Sequence, residues 1–283
     1  MASLKEIKAR ISSVSSTLKI TQAMKMVASA KLRKAQRMVG GLDDYKSALY
    51  ETLERLSAFI ANSSLAAEGT AGKVALVVFS SNTALCGSYN ANIFKALQSR
   101  VALLQEDGAQ VEIIPVGEKV LKMARKAGMD VNADFVAAGD ALSYEEMAAF
   151  ARYLEDGFVG GRFSRVELLY MHYYNAARQS IVSRGWLPVA RTDSAAAAAD
   201  DDLIVEPSAQ EVVDELLPLV LRTDMYATLL SSNASENAAR MIAMQTASDN
   251  AEDLLSQLRL TYNKQRQQDI TEELTDISNG KLG

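Results

Sequence analysis

The stretch LKEIKARISSVSSTLKITQAMKMVASAKLRKAQRMVGGLDDYKSALYETLERLSAFI, residues 4–60, decides the fold. Alternate steps of three and four from Leu4 land on Ile7, Ile11, Val14, Leu18, Thr21, Lys25, Ala28, Leu32, Ala35, Val39, Leu42, Lys46, Leu49, Leu53, Leu56 and Ile60. Fourteen of these seventeen positions are apolar. A 3.5-residue stripe kept for about eight heptads is a coiled-coil seam, narrower than the face of an ordinary surface helix. Ser3 followed by Glu6 has the spacing of a capping box at its start. One helix over residues 4–60 would extend about 85 Å at 1.5 Å per residue. Gly40-Gly41 costs about 1 kcal/mol per glycine relative to alanine and softens the helix there.

The other end of the chain repeats the pattern. Val213, Leu216, Val220, Thr223, Ala227, Leu230, Ala234, Asn237, Met241, Met244, Ser248, Ala251, Leu255, Leu258 and Tyr262 follow the same steps, twelve of the fifteen apolar. After Tyr262 the register slips by one and resumes at Ile270, Leu274 and Ile277. The slip falls in the polar run NKQRQQD at 263–269, so the last stretch is expected to lie differently against its partner. Pro218 removes one ladder donor and predicts a kink or a helix start.

Between these segments the texture changes. Residues 74–79 (VALVVF), 111–116 (VEIIPV), a weaker 130–136 and 166–173 (VELLYMHY) read as buried strands, and 179–190 as an edge strand before Pro188. Helical patterns at 92–105, 118–127 and 143–158 separate them, giving βαβαβαβ order and a mostly parallel sheet covered by helices. The predicted fold class is therefore α/β: a long antiparallel two-helix coiled coil from the N- and C-terminal segments, with an inserted Rossmann-like three-layer domain. The expected divisions are 1–60, 72–192, an acidic and alanine-rich loop at 193–207 (DSAAAAADDD at 193–202), and 208–283. Seam alanines at 28, 35, 227, 234 and 251 permit close helix approach, and the far end of such a coil would project as a shaft.

The 283 residues hold one cysteine, Cys86, and one histidine, His172, which argues against a disulfide framework, a Cys-rich zinc module and His-based triad or metal chemistry. No window of 18 apolar residues exists to span a bilayer, and no apolar signal core follows the charged start, so export is not expected. The net charge of −5 is unevenly spread. Residues 1–38 carry nine bases against Glu6 alone, a sum of +8, whereas 193–215 carry eight acids and no base, a sum of −8. The basic segment suits an acidic or polyanionic partner, although a solvated helix face gives the same pattern.

Candidate chemistry is sparse. The turn SSNTALCGSYN at 80–90 sits where doubly wound sheets bind ligands, but Gly87 stands alone, without a phosphate-cradling glycine cluster. Cys86 reads as packing and His172 as structural. The carboxylate pairs Glu145/Glu146 and Glu272/Glu273 fall on polar helix faces. No catalytic constellation, cofactor site or metal site is expected. Met24, Met26, Met38, Met241 and Met244 follow helical spacing and serve either as seam filler or as adaptable contact surface.

KITQAMKMVASAKLRKAQ (19–36), LCGSYNANI (85–93), SENAARMIAMQTASDNA (235–251) and YNKQRQQDITEELTDI (262–277) together resemble the gamma subunit of F-type, proton-translocating ATP synthases over essentially the whole chain. The resemblance implies a central rotor shaft without bond chemistry of its own. Its two terminal helices would thread a ring of alternating alpha and beta subunits, and its α/β domain would sit at the foot beside the epsilon subunit and the membrane c-ring. It also implies residence on the cytoplasmic side of the bacterial plasma (inner) membrane, peripherally. Carried over by residue, Met24 and Lys25 match the segment facing the acidic levers of beta subunits. Arg266, Gln267, Thr271 and Glu273 match the C-terminal contacts with beta.

The sequence departs from the family at Ser88-Tyr89, where LCGGLN is common, and at the 193–202 loop. The cysteine pair of chloroplast members is absent. Two other readings compete: a basic coiled-coil nucleic-acid binder, prompted by Lys31, Arg33, Lys34 and Arg37, and a small nucleotide-using α/β enzyme. The first is opposed by a seam that runs straight through the basic cluster, the second by the missing binding loop.

Overall fold

In the computed structural model, residues 3–67, 69, 72–139, 142–189 and 205–280 are described. The first helix, α1, spans Leu4–Arg55. Its capping box forms as read: Glu6 N–H donates to Ser3 Oγ at 3.3 Å and Ser3 N–H to Glu6 Oε2 at 3.0 Å. The expected single helix to residue 60 instead breaks after Arg55, where tight i→i−3 bonds at Leu56 and Phe59 lead into the short α2, Ser57–Ile60. The last helix, α6, spans Ala209–Gly280 and begins with Glu211 N–H on Ser208 Oγ at 3.3 Å. Pro218 sits inside it rather than at its start.

Between them lie β1 (Lys73–Phe79), α3 (Tyr89–Glu106), β2 (Val111–Val116), α4 (Glu118–Lys126), α5 (Tyr144–Val159), β3 (Phe163–Tyr173) and β4 (Gln179–Leu187). The sheet order is β2-β1-β3-β4; β1 pairs parallel with β2 and β3, and β4 closes the edge antiparallel to β3. The strand expected at 130–136 is corrected. Only an isolated bridge, Val131 to Ile113, forms before a 3₁₀ turn at Val136–Gly139. Asn132 explains this: its Oδ1 accepts from Asp134 N–H at 3.0 Å, and its Nδ2 donates to Glu112 and Tyr153. Such local side-chain bonds compete with a ladder. The loop expected at 193–202 lies outside the described residues.

The chain packs as two units, one of Ala30–Ala239 and one of Met1–Ser29 with Arg240–Gly283. In the larger, the sheet's alternation serves two cores. Leu76, Val78, Ile113, Leu169 and Met171 face α3 and α4. Ala75, Val77, Phe79, Leu168 and Tyr170 face α5, the end of α1, and α6 residues such as Val213, Leu217 and Met225. No α6 residue from Leu216 to Ala239 is exposed. A helix buried all round must satisfy its polar side chains internally. Ser235 Oγ accordingly donates to Met171 O at 3.0 Å, and Ser231 Oγ accepts Tyr173 N–H at 3.0 Å. Lys46 on α1 meets Asp224 and Asn62, just past α2, meets Gln210 near the start of α6, so the chain through α1 and α2 runs antiparallel to α6.

Every seam position read from residues 4–60 and 213–262 is buried or half-buried; none is exposed. Gly40 and Gly41 are exposed within α1, and a Cβ on either would meet nothing within 4 Å. Alanine at each position is therefore expected to stabilise the isolated chain by about 0.5–1 kcal/mol through the backbone entropy glycine loses in a helix. A lowered melting midpoint in either variant would show that α1 needs glycine there.

Candidate partner-binding surface on the paired helices

The smaller unit is built from the first turns of α1 and the last of α6. Its seam is apolar except at Thr21, Lys25 and Ser248, and two of these satisfy each other: Ser248 Oγ donates to Thr21 Oγ1 at 2.8 Å in a buried position. A single polar pair in an apolar seam fixes register. Beside it, Gln22 Nε2 donates to Glu252 Oε1 at 3.2 Å on the outside of the pair.

From Thr21 opposite Ser248, antiparallel stepping back to Leu4 reaches about position 265, so among the described residues α1 gives out there. That is where the heptad register slips, between Asn263 and Asp269. The resumed repeat does not regain cover: Ile270 and Leu274 are exposed, the latter 62%. Further large apolar side chains face solvent in this unit, with Met26 at 67% and Leu260 at 69% exposed, alongside Ile20, Val27, Ile242 and Leu254. Large exposed hydrophobics concentrated on one pair of helices mark an interaction surface.

The expected contact residues occupy this unit. Met24 and Lys25 are half-buried on α1, Lys25 standing in the seam itself. Arg266, Gln267, Thr271 and Glu273 are all exposed on α6. Arg266, Ile270 and Glu273 recur at four and three residues, and Gln267, Thr271 and Leu274 likewise, so polar and apolar groups alternate around one broad helix face. Thr271 Oγ1 bonds back to Gln267 O at 2.8 Å.

The turn at 80–90 is closed on itself. Asn90 Nδ2 donates to Ser81 Oγ at 2.7 Å and to Cys86 Sγ at 3.1 Å, while Asn90 Oδ1 accepts Ser81 N–H at 3.2 Å. The first amides of α4 are also taken, Glu118 N–H by Asn82 Oδ1, Lys119 N–H by Ser81 O and Val120 N–H by Ser80 Oγ. A phosphate at this sheet end would need those donors free. Gly87 and Leu85 adopt positive φ of 60° and 67° to make the turn. Among the described residues no group of acids, histidines or cysteines could hold a metal, and no helix is long and apolar enough to cross a membrane.

One polar centre escapes a reading of the sequence. In the larger unit Asp224 Oδ1 accepts from Lys46 Nζ at 3.0 Å and Oδ2 from Arg184 at 2.5 Å, joining α1, α6 and β4. Lys46 breaks the apolar repeat of α1, which is the one trace of this pairing in the sequence. Burial, then the Asp224 charge, raises the Tyr50 phenol beyond its usual range. Burial, then the charges of Lys46 and Arg184, lowers the His172 imidazole.

Residues 3–281 match the family model described as ATP synthase. Among curated proteins, the chain is 44% identical over 282 residues to the ATP synthase gamma chain of Parabacteroides distasonis, covering 99% of this chain and 98% of the relative. It is 46% identical over 288 residues to that of Phocaeicola vulgatus, covering 100% of both. Among solved structures it resembles a chain of the Tetrahymena thermophila mitochondrial ATP synthase central stalk and c-ring. That match has a TM-score of 0.59 at 25% identity and covers 81% of this chain and 99% of the other. A chain of the Euglena gracilis mitochondrial ATP synthase shares the fold with a TM-score of 0.65 at 20% identity, covering 98% and 92%.

Proposed function

The chain belongs to the ATP synthase gamma-chain family and is its non-catalytic central rotor shaft, and we propose that it meets the beta subunits through Met24 and Lys25 on α1 and through Arg266, Gln267, Thr271 and Glu273 on α6. The observation that carries this reading is the smaller unit's uncovered surface. Beyond about position 265, α6 keeps apolar residues at helical spacing but has no α1 opposite them, so a ring of other subunits is the natural cover. Alternation of Arg266 and Gln267 with Ile270 and Leu274 gives a bearing that can bind through many weak contacts. A single exposed ion pair contributes only about 0–1 kcal/mol, so torque is carried by shape as well as charge.

The larger unit is the foot in this reading, with the epsilon subunit and the c-ring as its partners and the alpha and beta subunits around the paired helices. Ion flow turns the ring and shaft together, and the unequal faces of α1 and α6 present each beta subunit with a different surface in turn. The chain stands peripherally at the cytoplasmic face of the bacterial plasma membrane, held there by its complex. Its bacterial relatives support that placement.

The test is ATPase activity of purified alpha and beta subunits with and without this chain, with the mass of the assembly measured alongside. One copy is expected to join a ring of three alpha and three beta subunits and to change its turnover. A chain that stays separate where a control gamma chain assembles refutes the partner assignment.

A further inference from the structure

Within the larger unit, a cavity of about 460 Å³ opens between α1, α6 and the β3–β4 face, a size within the range of small-molecule sites. Lys46 and Tyr50 line it from α1, Tyr170 and His172 from β3, Arg184 from β4 and Asp224 from α6. None of these residues belongs to the surface assigned above to the beta subunits, and the rotor role makes no use of them.

We propose that this cavity binds a small oxyanion of the phosphate class, held by Lys46, Arg184 and His172. Asp224 is 5% exposed and takes one N–H from Lys46 at 3.0 Å and one from Arg184 at 2.5 Å; Arg184 gives another to Thr228 Oγ1 at 3.1 Å. Lysine offers three N–H donors and arginine five. These contacts engage one donor of the first and two of the second; Arg184 also hydrogen-bonds Tyr170 and Lys46 lies over the Tyr50 ring, yet both side chains remain about a third exposed, at 31% and 32%. One carboxylate against two permanent cations leaves this trio with a surplus positive charge, which the exposed Asp43 on the rim formally balances. An ammonium and a planar guanidinium on separate elements can reach different oxygens of a tetrahedral anion. His172 Nδ1 lies 3.3 Å from Ser231 Oγ and lends a further donor when protonated. Asp43, also on the lining, opposes the anion and sets a limit on affinity.

The only histidine of the chain is thus a reporter inside the cavity. The charged and titratable groups around its ring are Lys46, Asp43 and Tyr50 from α1, Arg184 from β4, Asp224 from α6, and its neighbours Tyr170, Tyr173 and Tyr174 on the β3 side. An anion bound among the cations would offset their repulsion of the imidazolium and move the His172 titration upward.

The experiment is imidazole-resolved NMR of the full-length chain, titrated with inorganic phosphate against sodium chloride at matched ionic strength. A saturable His172 shift in the millimolar range, with an upward-moved titration at saturation, is expected. Lys46→Gln should weaken phosphate at least about tenfold, the loss typical of a hydrogen bond to a charged group. Asp43→Asn should tighten it about threefold by removing a like charge at moderate distance. Circular dichroism of both variants checks that they fold, and Asp43→Asn, an exposed position, keeps the proposal open to refutation should Lys46→Gln unfold. No saturable shift, an equal response to chloride, a response to acetate as strong as to phosphate, a folded Lys46→Gln variant of unchanged affinity, or a folded Asp43→Asn variant that binds no tighter overturns it.

Discussion

Replacing Arg266 and Gln267 together by alanine is expected to lower coupled ATP synthesis in membrane vesicles about tenfold while leaving the isolated chain's helicity and melting unchanged. Both side chains are exposed on α6, beyond the point where α1 ceases to lie opposite. Exposed helical positions tolerate alanine within about 0.5 kcal/mol, and alanine is the best helix former. In the assembled complex the same two residues would be covered by a partner, where a hydrogen bond to a charged group contributes about 1.5–3 kcal/mol instead of the 0–1 kcal/mol of a solvated pair. A loss of 1.4 kcal/mol in a coupled step is a factor of about ten. Substitution of Arg259 and Gln257, exposed about two to three turns earlier where α1 is still paired with α6, should cost much less. If melting collapses while a correctly assembled complex keeps its rate, Arg266 and Gln267 hold the chain together and are not partner contacts.

The parts of this molecule that were legible in its sequence are those whose physics is local or periodic. A two-helix seam demands an apolar residue every 3.5 positions, and the exceptions at Thr21 and Ser248 meet in one buried hydrogen bond. The branched runs of β1 and β2 announced strands buried on both faces. At 130–136 the reading as a weak buried strand failed after one bridge, because the Asn132 side chain takes the Asp134 N–H that a longer ladder would need. The break after Arg55 carried no glycine or proline to announce it. The exposed surface at 266–274 was legible as a slip in the repeat, since a helix that loses its partner also loses the constraint on its register. The Lys46–Asp224–Arg184 centre was not. Its members lie 178 and 40 residues apart, and nothing local couples a charge on α1 to one on β4.

That centre is where a single substitution should hurt stability most. Asp224→Ala is expected to destabilise the folded chain by about 2–4 kcal/mol, a large part of the 5–15 kcal/mol typical of a whole domain. The carboxylate is nearly buried, and each of its oxygens serves a different element, α1 through Lys46 and β4 through Arg184. Without it, two cations face each other across the space it occupied, and Thr228 is left to accept from Arg184 alone. Removing one partner of a buried pair costs about 3–5 kcal/mol because the remaining charge is uncompensated. The expectation is set lower because Lys46 and Arg184, a third exposed, can turn toward water. Asp224→Asn keeps the shape and one acceptor and should cost about half as much. Denaturant unfolding of the three chains separates the cases. An alanine variant within 0.5 kcal/mol of the parent would mean that the apolar seam alone holds α1 against α6 and that the ion cluster contributes nothing a solvated pair would not.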